Sequence, residues 1–237
     1  MNDSPLAPGS RVVIAGASGL IGSALTRSLA ADGHEVVRLV RREPRGRDEV
    51  RWDPEGRGIG AGALAGCAAV VNLAGAGIAS RRWTESYKRT IRESRVRGTT
   101  VLAEAVASLD ERPSVFVNGS AIGFYGDTGD RAVDESAGPG EGFLPSVCVA
   151  WEEATAPARE AGVRTVLART GLVVGPGVRN PLTAGGAVCP PMRPCTPDAR
   201  LPRAAHTPTL DPNSGIPRAR WGHDVPTGRA TSRRGMC

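Results

Sequence analysis

Arg11-Val12-Val13-Ile14-Ala15 runs straight into Gly16-Ala17-Ser18-Gly19-Leu20-Ile21-Gly22, and no other stretch of the 237 residues restricts the fold so tightly. The apolar run suits a strand buried on both faces of a parallel sheet. Past the glycines, Ile21, Leu25 and Leu29 recur at steps of four before Asp32-Gly33 closes the segment. That is the pattern of an amphipathic helix with a glycine stop. The alternation then repeats. Strands are predicted at Glu35–Val40, Ala68–Leu73, Ser114–Asn118 and Arg164–Ala168, with a long helix from Trp83 to about Leu109. Leu144–Ala161 is also helical, with Pro157 as a kink or late break. Strands alternating with helices of this length give the expected fold class: α/β, a Rossmann-type doubly wound parallel sheet.

The glycines of the first turn, spaced G-x-x-G-x-x-G, divide the physical work. Gly16 allows the turn, Gly19 lets backbone N–H groups approach a pyrophosphate, and Gly22 permits close helix–strand packing. The helix N-terminus adds partial positive charge beneath the phosphates. Gly16, Ser18, Gly19, Leu20, Ile21 and Gly22 are therefore the expected dinucleotide contacts. At the end of the second strand, where an acidic side chain would bind a ribose 2′-hydroxyl, the chain has Arg41 and Arg42. Paired guanidiniums suit a 2′-phosphate, so NADP(H) is favoured over NAD(H). The competing reading is two solvated arginines at a strand end.

Charge and composition divide the chain near Gly177. Residues 178–237 hold nine Arg, three Asp and neither Lys nor Glu, so the net charge of +6 lies there. Residues 1–177 balance at 21 basic and 21 acidic groups, which gives no electrostatic footprint for nucleic acid. No apolar run approaches the roughly 18 residues that span a bilayer, and the first residues lack a secretory pattern. With an odd cysteine total of 5, this points to reduced thiols and a cytoplasmic protein. The last 60 residues contain 10 Pro and only 7 Ile, Leu, Val or Phe, too few to offset chain entropy. The expected organisation is a disordered 1–10, a dinucleotide-binding domain at 11–177 and a disordered Pro/Arg-rich tail at 178–237. Cys189, Cys195, His206 and His223 lie in that tail at spacings that fit no common zinc module, so no metal site is expected.

Several motifs carry a family resemblance: GASGLIG at 16–22, VVNLAGAGIASRRWTESYK at 70–88, ESRVRGT at 93–99, NGSAIGFYGD at 118–127 and ARTGLVVGPG at 168–177. Over about Arg11 to Gly177 the chain resembles an extended short-chain dehydrogenase/reductase. More closely, it resembles the atypical epimerase-family branch that normally carries a C-terminal domain of unknown function. The resemblance implies a Rossmann fold with Leu73, Ala74 and Gly75 lining the cofactor. It places Ser120 and Tyr125 beside the nicotinamide as catalytic candidates, and Arg169, opening the loop after the fifth strand, on the substrate side; Arg81 and Arg82, just after the third strand's loop, are the cations of the basic cluster best placed to bind a substrate. It also implies that the match breaks off near residue 178, as a reading-frame shift would make it do.

The superfamily's usual proton relay pairs a Tyr with a Lys four residues later, a cation that draws the phenol pKa down. Here the single lysine is Lys88 and residue 84 is Thr, so no Tyr-x-x-x-Lys exists. By the resemblance the pair falls at Cys148 and Glu152, for which the sequence offers no tuning cation; core packing is the favoured reading of Cys148. The basic cluster Arg81, Arg82, Lys88, Arg89, Arg92, Arg95 and Arg97 reads equally as an anion site or a solvated helix face. Two functions stand. One is an NADP(H)-binding oxidoreductase or epimerase-like protein acting on a small molecule; the other is a non-catalytic dinucleotide-binding or redox-sensing module, or an inactive frameshifted product.

Overall fold

The structure, a computed structural model, describes residues 6–173 apart from 57, 61 and 79. The expected tail at 178–237, with its cysteines and histidines, lies outside the described residues.

Among them a seven-stranded sheet runs in the order β4-β3-β2-β1-β5-β6-β7. The strands are β1 Arg11–Ala15, β2 Glu35–Val40, β3 Glu49–Asp53, β4 Gly58–Ile59, β5 Ala69–Asn72, β6 Val115–Ala121 and β7 Arg164–Thr170. All neighbours pair in parallel except β4, which lies antiparallel to β3. Helices α1 (Leu20–Ala31), α2 (Glu85–Ala107), α3 (Phe143–Glu153) and α4 (Ala156–Glu160) make the crossovers, with a short 3-10 turn at Ile122–Tyr125. The order reverses between β1 and β5, and in such sheets that switch point opens a crevice beyond the strand ends.

Strand periodicity sorts the core into two layers. Val13, Val37, Val70 and Phe116 face one side, where Leu102, Ala103 and Val106 of α2 cover them. Val12, Ile14, Ala69 and Val71 face the other, packed by Leu25 and Leu29 of α1. Thr84 caps α2, its Oγ1 accepting from the Tyr87 N–H at 3.2 Å.

Four expectations need correction. Two strands, β3 and β4, were not legible, because Glu49-Val50-Arg51-Trp52-Asp53 carries charge at three of five positions and offers no apolar run. Residues 6–10, expected to be disordered, instead form a turn in which Ser10 donates to the Ala7 carbonyl, with Leu6 packed against the second core layer. Ile21 leaves the predicted apolar stripe and stands 37% exposed. The segment 144–161 is two helices, with Pro157 in the first turn of the second, where its missing N–H costs nothing.

Candidate functional site

A cavity of about 580 Å³ opens at the switch point. The glycine loop (Gly16–Gly19), the end of β2 with Arg41 and Arg42, and Leu73–Gly75 beyond β5 all line it. Most of the residues expected to hold a dinucleotide thus border one space.

The loop's geometry demands glycine at two points. Gly16 has φ +81°, and a Cβ there would lie 2.6 Å from the Leu73 carbonyl carbon. A Cβ on Gly22 would collide with the Gly16 carbonyl oxygen, so α1 rests directly on the loop. Gly19 caps α1 with no side-chain acceptor, and the first turn has no acidic residue. The N–H groups of Leu20, Ile21 and Gly22 therefore lack an intrahelical partner, the condition that favours an anion. On this segment the cavity lining ends at Gly19, one residue before these three.

Beyond β5 the chain is anchored by a buried polar network that sequence reasoning missed. Asn72 Nδ2 donates to Thr99 Oγ1 at 2.9 Å and to Asn118 Oδ1 at 2.7 Å, while Trp151 Nε1 donates to the same threonine at 2.9 Å. Asn72, Thr99 and Asn118 are fully buried, so β5, α2, β6 and α3 share one satisfied cluster. Its signal was present: both apolar runs, AVVN and SVFVN, end in an Asn, and parallel pairing sets Asn72 opposite Asn118. Arg95 of α2 adds a clamp, donating from Nη1 to the Ala76 carbonyl at 2.9 Å and lying over the Trp151 ring. Burial lowers its pKa, and no carboxylate pairs with it among the described residues.

At the β2 end, Arg41 is exposed. Arg42 is engaged: Nη1 and Nη2 donate to Glu49 Oε2 and Oε1 at 2.6 and 2.7 Å. These bonds, with one from the Arg45 N–H, hold the Glu49 carboxyl well below its ordinary value, at about 2.

The catalytic candidates form a second cluster. Ser120 Oγ donates to Glu152 Oε1 at 2.6 Å. Arg169 donates Nε and Nη2 to the two oxygens of Glu152 at 2.8 Å each, and Nη1 to the Tyr125 hydroxyl at 2.9 Å. Its guanidinium stacks 3.6 Å from the Phe124 ring centroid. Burial works to raise the Glu152 pKa, but the bonds from Arg169 and Ser120 outweigh it and leave the carboxyl below its usual range. Arg169 is raised in turn, chiefly by the bond to Glu152.

Two expectations change accordingly. Glu152 does have a tuning cation, Arg169, 17 positions along the chain and so outside any local spacing. Arg169 itself lies within β7 and turns inward, because a buried carboxylate waits there, rather than opening a substrate loop. Cys148 is buried and burial raises its thiol pKa, as core packing requires. Arg81 and Arg82 are exposed and stand apart from the cavity lining. Along α2, Lys88 pairs with Glu85 and Arg97 with Glu93, while Arg89 and Arg92 are solvated.

Comparison with known proteins brings these features together. Residues 12–193 match the NAD dependent epimerase/dehydratase family. An epimerase family protein of Mycobacterium bovis is 51% identical over 165 residues, covering 70% of this chain and 54% of the relative. Among solved structures, a nucleoside-diphosphate sugar epimerase from Corynebacterium glutamicum superposes with TM-score 0.60 at 42% identity, covering 69% of this chain and 34% of that one. The human epimerase family protein SDR39U1, solved with NADPH, superposes with TM-score 0.62 at 32% identity, covering 71% and 56%. The chain spans about half the length of the curated relatives it matches.

Proposed function

The chain belongs to the NAD dependent epimerase/dehydratase family, and from that premise we propose that it binds a nicotinamide dinucleotide, NADP(H) in preference to NAD(H), as an oxidoreductase or epimerase-like protein acting on a small molecule. The binding unit is residues 11–177. One observation carries the reading: a glycine loop that leads into an acid-free, uncapped helix start faces, across a single cavity, a strand end bearing Arg41 and Arg42. The diphosphate is held by the N–H groups that open α1, with Gly16, Ser18 and Gly19 giving close approach. Leu73, Ala74 and Gly75 form the floor toward the nicotinamide, and the arginines take the 2′-phosphate. The human relative, solved with NADPH, supports the cofactor class and its phosphorylated form.

When bound, the dinucleotide supplies or accepts a hydride. The chain's own part is proton handling. Ser120 has committed its proton to Glu152, so toward a substrate it offers only lone pairs. Tyr125 is the reverse case: its oxygen accepts from Arg169 and its O–H proton has no acceptor among the described residues. Tyr125 is therefore the proton donor to a substrate oxygen, and Arg169 stabilises the phenolate left behind. Arg81 and Arg82 remain the surface cations available to an anionic substrate.

A second reading, a non-catalytic dinucleotide-binding or sensing module, draws on the missing Tyr-x-x-x-Lys and on a Glu152 carboxylate already taken up by Arg169 and Ser120. Trp52 lines the cavity, so NADPH should quench tryptophan fluorescence in either case. Deuterium at C4 of NADPH separates the two. Transfer of label to any member of a panel of carbonyl compounds, abolished by Tyr125→Phe, supports catalysis; quenching without transfer leaves the module, and no quenching removes both.

A further inference from the structure

The acid that neighbours the arginine pair has no part in the reading so far. Parallel pairing sets Arg38 opposite Glu49, so the first residue of β3 lies beside the end of β2 and borders the cavity. Its side chain is 3% exposed and lies one strand over from the end of β2, where a Rossmann site presents the carboxylate that takes a ribose 2′-hydroxyl. The Glu49 carboxylate is ringed by donors. Oε1 accepts from Arg42 Nη2 at 2.7 Å and is approached by Arg38 Nη2 at 3.3 Å. Oε2 accepts from Arg42 Nη1 at 2.6 Å and from the Arg45 N–H at 2.7 Å. Of about four lone-pair positions on a carboxylate, three carry hydrogen bonds and the Arg38 guanidinium stands against the remaining one.

Arg42 is fixed by the same bonds. Nη1 spends its second hydrogen on the Glu43 carbonyl at 2.9 Å, leaving the Nε–H and one Nη2–H for a ligand. A bidentate partner of this kind restricts a flexible guanidinium to one orientation. Arg38 and Arg42 are matched by Asp48 and Glu49, and Arg41, which has no carboxylate partner among the described residues, adds one uncompensated positive charge. The surplus is positive, as a 2′-phosphate requires.

We propose that Glu49 sets the cofactor choice of this site: its bidentate pair with Arg42 orients a guanidinium toward the 2′-phosphate and withdraws the carboxylate from the ribose 2′-hydroxyl. The inference rests on the dinucleotide-binding reading above and extends it to a residue outside β2 that acts by positioning. A purely structural Glu49 and this one differ in what happens to NADH. Removing Arg42 frees one lone pair on each oxygen of Glu49, which turns the acid into an acceptor for a free ribose diol.

The test is calorimetric titration of the full chain with NADPH and with NADH. In the parent protein NADPH binds more tightly by about tenfold or more, as expected of a charge-assisted phosphate contact. Arg42→Met lowers NADPH affinity by about tenfold and raises NADH affinity by about threefold, and adding Glu49→Gln removes the NADH gain. Arg42→Lys keeps the charge without the bidentate geometry and shifts the NADPH-to-NADH ratio in the same direction by less, which serves if the methionine variant does not fold. An unchanged ratio in both Arg42 variants overturns the inference, as does an NADH gain that survives Glu49→Gln. Failure of the parent protein to bind either nucleotide is a different result, and it overturns the reading beneath.

Discussion

Single atoms decide much of this site. A methyl group at Gly22 would overlap the Gly16 carbonyl oxygen, so Gly22→Ala must push α1 off the loop. The expected cost is about 3 kcal/mol, the upper part of the overpacking range, read from urea unfolding. Two substitutions at Glu152 separate charge from size. Glu152→Ala leaves the part-buried Arg169 guanidinium without a carboxylate, a loss of about 3 kcal/mol in the same assay, whereas Glu152→Gln keeps the size and one acceptor and loses less. Equal losses in the two variants would mean that the charge of Glu152 alone, and not its shape or a remaining acceptor, holds the cluster. Its components were legible only singly. Ser120, Tyr125 and Arg169 were all marked as candidates, yet the bond that gives Arg169 its role runs to Glu152, and no spacing rule connects an α3 residue to a β7 residue.

At the scale of elements, strand and helix periods were readable wherever a segment buries one continuous face. β1, β2, β5 and β6 are apolar runs inside the sheet, β7 carries the apolar Val166-Leu167-Ala168 at its edge among the described residues, and α2 starts at its Thr84 cap. Replacing Thr84 by Ala removes the acceptor of the Tyr87 N–H and should cost about 1 kcal/mol, measured as a lowered urea midpoint with an unchanged denaturant slope. β3 escaped notice for a physical reason. Its Glu49 is buried by virtue of three partners supplied from β2 and the following loop, and a local sequence window sees only a charged residue that ought to face water. The element that was invisible is thus the one that completes the arginine end of the cavity.

For the molecule as a whole, two paired carboxylates make stability depend on acidity. Glu49 is lowered to about 2 by Arg42 and Arg45, and Glu152 is lowered by Arg169 and Ser120 after burial has worked the other way. A folded pKa below the unfolded value, about 4.3 for Glu, contributes stability that is complete above that value and disappears as pH falls through the folded one. Unfolding midpoints should therefore decline from about pH 5 toward about pH 2. Glu49→Gln should flatten that decline, and an unaltered slope in the variant would remove Glu49 from its cause. The central claim concerns the cavity at the switch point, and crystallography of the chain grown with NADPH tests it most directly. The account predicts the diphosphate over the N–H groups that open α1 and the 2′-phosphate against Arg41 and Arg42. A nucleotide bound elsewhere on the molecule, or bound here with its adenosine phosphate turned away from both arginines, would contradict it.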